Sequence, residues 1–129
     1  MFKDTPVING FSTDDSDSAK QFYSEVLGFT VEDEGMGGIL SLHFVNGGTT
    51  FIYPKPDHQP ATYTIMNIMV DDIEKAVDGL VAKGVVFEQY DGQMKTDEKG
   101  IAWGKKAGMG PNIAWFTDPA GNILSLLES

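Results

Sequence analysis

Two acid pairs, Asp14-Asp15 and Asp71-Asp72, stand 57 positions apart, and each closes a strand-like run and opens a helical one. After the first pair, Ala19, Phe22, Tyr23, Val26 and Leu27 fall at i, i+3, i+4, i+7 and i+8. After the second, Ile73, Ala76, Val77, Leu80 and Val81 repeat that spacing. Each segment therefore predicts a helix with one buried stripe. Asp15 and Asp72 are the expected N-caps, Asp17 and Glu74 place negative charge where the helix dipole favours it, and Gly28 and Gly84 are expected to end the helices.

Strand-like runs surround the helices: PVINGFST, FTVEDE, ILSLHFV and TTFIYP around the first, then TYTIMNIMV, VVFEQY, NIAWF and NILSLL around the second. The chain reads βαβββ twice, over residues 1–56 and 62–129, with the proline-rich stretch PKPDHQPA (54–61) between the halves. A repeat of this size is too small to close its own core and is expected to pair with its copy. The 129 residues therefore predict a single α+β domain, 1–129, built from two βαβββ modules.

The formal net charge is −10, from 19 acidic residues against nine basic ones, all lysine. Such a surface repels phosphate backbones and anionic headgroups, and without arginine there is no bidentate fork to hold them. No nucleic-acid or membrane partner is expected; the same charge also serves solubility. Cysteine is absent, the first residues, MFKDTPVING, lack a signal-like apolar segment, and no apolar run is long enough to span a bilayer. These features predict a soluble, cytoplasmic protein.

Three pieces in order, the acid pair, Phe22-Tyr23 with Leu27-Gly28, and Asp118-Pro119-Ala120-Gly121-Asn122 before the last strand, resemble the vicinal oxygen chelate superfamily of glyoxalases, bleomycin-resistance proteins and extradiol dioxygenases. The resemblance covers essentially the whole chain. It implies two modules whose eight strands form a cupped mixed sheet, helices outside and a ligand cleft inside, and it implies a homodimer. In metal-binding members of that superfamily, the first and last strands of each module supply histidine and glutamate ligands. Here the positions seven residues before Asp15 and Asp72 are Ile8 and Ile65, the last strand offers Ser125, and its counterpart in the first module offers Phe51 or Ile52. Apart from the weak hydroxyl of Ser125, none can ligate a divalent ion, so neither a metal nor another cofactor is expected.

Candidate chemistry is correspondingly sparse. His43 and His58 are the only imidazoles. His58 lies in the proline-rich stretch, while His43 alternates with Leu42 and Phe44 and shares a strand face with Ser41; it is the one candidate for acid–base work, with a hydrogen-bonded sheet histidine as the alternative. For ligand binding the expected residues are Tyr53, Tyr90, Trp103 and Trp115 as stacking surfaces, with Ser12, His43, Asn67 and Ser125 as polar anchors. Each aromatic has core packing as its alternative. Residues 90–112 form a long glycine-rich connection, read as a flap over the cleft, a subunit contact or a solvent loop. Two function classes follow: a metal-free protein that binds a small, flat or apolar ligand, or a glyoxalase-like lyase, isomerase or dioxygenase relative with a rearranged metal or acid–base site.

Overall fold

The two acid pairs do cap helices. Asp15 is extended, and its carboxylate accepts from the backbone N–H groups of Asp17 and Ser18; Asp72 is extended likewise and accepts from Lys75 N at 3.1 Å. In the computed structural model, which describes residues 1–129, the chain divides into two compact units, Met1–Pro60 and Ala61–Ser129.

The first unit holds β1 (Asn9–Thr13), α1 (Ser16–Gln21), β2 (Thr30–Asp33), β3 (Leu40–His43) and β4 (Thr49–Pro54), with sheet order β1-β4-β3-β2. β1 runs parallel to β4 and the other pairs are antiparallel, so the sheet is mixed. The apolar stripe through Val26 and Leu27 predicts one continuous α-helix. Instead Phe22–Val26 is a π turn, with Leu27 N bonded to Phe22 O at 3.0 Å. The turn keeps Tyr23 fully buried, and Gly28 at φ 80° ends the element where a side chain would be strained.

In the second unit β5 (Thr64–Met69), α2 (Ile73–Ala82), β6 (Ile101–Trp103), α3 (Gly104–Ala107), β7 (Asn112–Thr117) and β8 (Ile123–Glu128) give a sheet of order β5-β8-β7-β6, again with one parallel pair, β5 with β8. The expected strand VVFEQY is corrected: that stretch contributes only a bridge from Phe87 to Phe116, and β6 comes from Ile101–Trp103, inside the segment read as one long connection. Val85 and Phe87 are buried as core plugs, and their alternation is what imitated a strand.

Each unit buries one sheet face against its helix. Leu40, Leu42 and Ile52 are buried in the first unit along with Ala19 and Tyr23 of the helical segment; Ala114, Phe116, Leu124 and Leu126 are buried in the second along with Ile73 and Val77 of α2. The other face of each sheet points away from the helix, and most of the candidate residues stand there. No helix is long and apolar enough to cross a membrane.

Candidate functional site

The register of the first sheet decides which candidates meet. Ser12 pairs with Tyr53, Gly10 with Phe51, Ser41 with Phe51, and His43 with Thr49, so Ser12, Ser41, His43, Thr49, Phe51 and Tyr53 share the face away from α1. Ser12 Oγ lies 2.6 Å from His58 Nδ1. The turn that delivers His58 is held by Lys55 N donating to Thr13 O and His58 N to Lys55 O, so the proline-rich stretch folds back on the sheet.

His43 sits in a polar network. Ser41 Oγ donates to Glu34 Oε2 at 2.6 Å and lies 3.2 Å from His43 Nε2; Glu32 Oε1 is 3.4 Å from the same nitrogen and Thr49 Oγ1 is 3.3 Å from Nδ1. Because the Ser41 proton is committed to Glu34, the arrangement suits an Nε2–H histidine that donates toward Ser41 and Glu32, with Thr49 donating to Nδ1. Such an imidazole can pass a proton to or from a bound molecule. Period-two alternation already placed Ser41 beside His43; Glu32, Glu34 and Thr49 join only through cross-strand register, and His58 only through the fold-back.

The second sheet assembles the other group. Ser125 stands between Asn67 on β5 and Trp115 on β7, all on the face away from α2. Ser125 is fully buried, and its hydroxyl donates to Asn67 Oδ1 at 2.6 Å. Tyr90 stands edge-on to Trp115, with ring centroids 5.4 Å apart at 77°. Burial and the Glu88 carboxylate raise the Tyr90 hydroxyl above its ordinary 10.0, so it remains a neutral donor at physiological pH. Trp103 does not join this group. It pairs with Asn112, which puts it on the opposite side of the sheet from Trp115, and its indole Nε1 donates to Asp97 Oδ2 at 2.8 Å.

The positions where the resembled family carries metal ligands can be tested directly. Ile8 precedes β1 on the Ser12 side, Phe51 lies on the same face, and Ile52 is core. Ile65 precedes Asn67 by two residues on β5. Isoleucine and phenylalanine have no donor atom, and the Ser125 hydroxyl is already bonded to Asn67, so these residues do not fit a divalent ion. No group of three or more His, Cys, Asp or Glu side chains is arranged to hold one. The turn before β8 is built from its own residues. Asp118 Oδ1 accepts from Ala120 N and Asn122 N, Oδ2 accepts from Asn122 Nδ2, and Gly121 sits at φ 86°. Asn122 serves as a hydrogen-bond partner rather than a left-handed residue, since only glycines take positive φ in this chain.

Two mixed sheets, each with a helix on one face and polar and aromatic side chains on the other, define a βαβββ-repeat protein of the glyoxalase type. The family model of the Glyoxalase/Bleomycin resistance protein/Dioxygenase superfamily matches residues 8–126, and the chain belongs to that superfamily. Comparison with curated proteins finds no match. Among solved structures the chain resembles an integron cassette protein from the mobile metagenome of the Halifax Harbour sewage outfall, at 18% identity and TM-score 0.70 over 98% of this chain and 99% of that one. It also resembles TnmS3, an antibiotic binding protein from Streptomyces sp. CB03234, at 23% identity and TM-score 0.66 over 97% of both chains. A superfamily member from Sphaerobacter thermophilus DSM 20745 matches at 20% identity and TM-score 0.68, over 96% of this chain and 98% of that one.

Proposed function

We propose that the protein binds a small, flat, largely apolar molecule without a metal, on the sheet face that carries Trp115, Tyr90, Asn67 and Ser125. The observation that carries this reading is the fixed edge-to-face pair of Trp115 and Tyr90 beside an exposed amide. Trp115 is half-buried and braced edge-on by Tyr90, part of its ring remains accessible, and an aromatic side chain with two torsions loses little entropy on stacking. Asn67 engages Ser125 through its oxygen, which leaves the amide N–H2 pointing a donor at whatever lies on that face. TnmS3, which shares the fold, is an antibiotic binding protein, and the same class of role suits an aromatic face with no metal ligands. Ser12 and Tyr53 offer a comparable polar and aromatic pair on the first sheet.

On this reading the protein is a cytoplasmic homodimer, supported by the absence of cysteine and by the open edge strands of both four-stranded sheets. Sedimentation at the 14.0 kDa monomer mass would count against the dimer. The His43 network supports a second reading, acid–base catalysis of the glyoxalase-like lyase or isomerase kind, in which His43→Gln abolishes turnover of a substrate that the wild type converts.

Fluorescence tests the first reading. In a Trp103→Phe background Trp115 is the only reporter, and planar polycyclic aromatic compounds should quench it saturably. Trp115→Ala, followed by calorimetry, should weaken binding by about 1–2 kcal/mol. A panel of such compounds that neither quenches Trp115 nor raises the melting temperature would overturn the reading.

A further inference from the structure

Trp103, the one aromatic candidate that stands apart from the others, floors a pocket of its own. The pocket has a volume of about 190 Å³ and lies wholly within the second unit, between residues 93–95 and the β6–α3 corner. Its wall includes Met94, Met109, Ala102, Gln93 and Lys95. We propose that this pocket is a second ligand site, separate from the Trp115 face, and that it takes a single-ring aromatic carboxylate.

Size comes first. An apolar cavity of about 150 Å³ is enough to take up benzene, so this pocket admits one ring with a small substituent but not a fused system. Lining comes second. An indole with two methionine thioethers around it favours an aromatic guest over an aliphatic one, because ring stacking and sulfur–ring contacts both add to burial. The Trp103 ring is also fixed in place, since its Nε1–H is bonded to Asp97, which in turn accepts from Lys99 N and Ile101 N at 2.9 Å each.

Charge selects the substituent. The chain carries −10 overall, yet residues 90–112 contain four of its nine lysines against three acids, Asp91, Asp97 and Glu98. Two of those lysines are engaged: Lys99 with Glu74 and Asp78, and Lys105 with Glu128. Lys106 places its ammonium 5.5 Å from the Trp103 ring centroid, and Lys95 stands in the pocket wall without an ion pair. An otherwise acidic protein thus sets one unpaired cation in the pocket wall and a second against the ring that floors it, an arrangement that fits an anion carried on a ring.

Benzoate is the probe, with benzamide as its neutral isostere. In a Trp115→Phe variant Trp103 is the sole fluorophore, so quenching reports this pocket and not the Trp115 face. Benzoate should quench it saturably, at least fivefold more tightly than benzamide, with the advantage shrinking in high salt. Lys95→Met should erase the preference for benzoate, and Ala107→Phe, which fills the pocket from α3, should abolish binding of both. On the unmodified protein, benzoate should shift the amide resonances of residues 93–95 and 104–109 in an NMR titration. Absent saturation, equal affinity for benzoate and benzamide, or shifts centred on Asn67 and Trp115 would each overturn the proposal, the last while leaving the Trp115 face as the binding site.

Discussion

The bond between Ser125 and Asn67 has one partner buried and the other at the surface, and this asymmetry makes two substitutions unequal. Ser125→Ala removes the buried hydroxyl and frees Asn67 to bond water, for a cost of about 0.5–1.5 kcal/mol. Asn67→Val strands the hydroxyl in the core without an acceptor, and the cost rises to about 1–3 kcal/mol. Urea unfolding of both variants should place Asn67→Val below Ser125→Ala; the reverse order would mean that another acceptor reaches Ser125. A second residue-scale effect depends on pH. Burial pushes the Asp97 carboxyl up, but hydrogen bonds from Ile101 N, Trp103 Nε1 and Lys99 N, with the Lys99 charge, outweigh it and hold the group below its ordinary 3.8. A depressed folded value means that the stabilisation is complete above the unfolded value and is lost as pH falls from about 3.8 through the folded one. Asp97→Asn turns an amide N–H2 or a weaker acceptor toward the indole donor, so its melting temperature should lie below wild type at neutral pH. That gap should close as the pH drops well below 3.8. A gap of constant size in a thermal scan series would mean that Asp97 is not held as a carboxylate by these partners.

At the scale of elements, the glycines separate corners that need the missing side chain from those that do not. A Cβ on Gly104 would meet Pro111 O at 2.3 Å, closer than any real contact, so the backbone of the β6–α3–β7 corner occupies that space. Gly104→Ala should cost about 1–3 kcal/mol and loosen α3. Gly79, exposed within α2, has nothing within 4 Å of its Cβ position, and Gly79→Ala should gain about 0.5–1 kcal/mol from the helix. Calorimetric melting temperatures that move the same way for both would overturn this account. The β6–α3 corner is also where the sequence reads least well. Helix periodicity and capping acids made α2 legible, and β-favouring runs located β3, β7 and β8 to within one or two residues at each end. β6 is three residues long, too short to show a period, while Val85 and Phe87 alternate like a strand because both plug the core from an irregular stretch. Candidate residues were legible by type, but their grouping was not. Trp103 and Trp115 look alike in sequence, and only the pairing of Trp103 with Asn112 and of Trp115 with Ser125 puts them on opposite sides of the sheet.

Across the whole molecule, membership of a superfamily that includes metal enzymes makes metal content the most consequential property to measure. The ligand positions of the two modules can be compared by register. Gly10 pairs with Phe51 in the first sheet as Asn67 pairs with Ser125 in the second, so Phe51 and Ser125 are equivalent, and Ile8 and Ile65 precede Gly10 and Asn67 by two residues each. Three of these four residues have no donor atom, and the fourth has spent its hydroxyl on Asn67. A divalent ion needs three or four N, O or S ligands to compete with water. Purified protein incubated with zinc, nickel or iron(II) and then dialysed should retain well under one equivalent by elemental analysis, and its melting temperature should not move. Removing metal with a chelator should likewise leave binding at the Trp115 face unchanged. The one set of side chains able to contradict this is His43 with Glu32, where the imidazole Nε2 and a carboxylate oxygen stand 3.4 Å apart. Stoichiometric metal that survives dialysis and is lost in His43→Gln would overturn the metal-free reading and give the His43 network, not the Trp115 face, the central role.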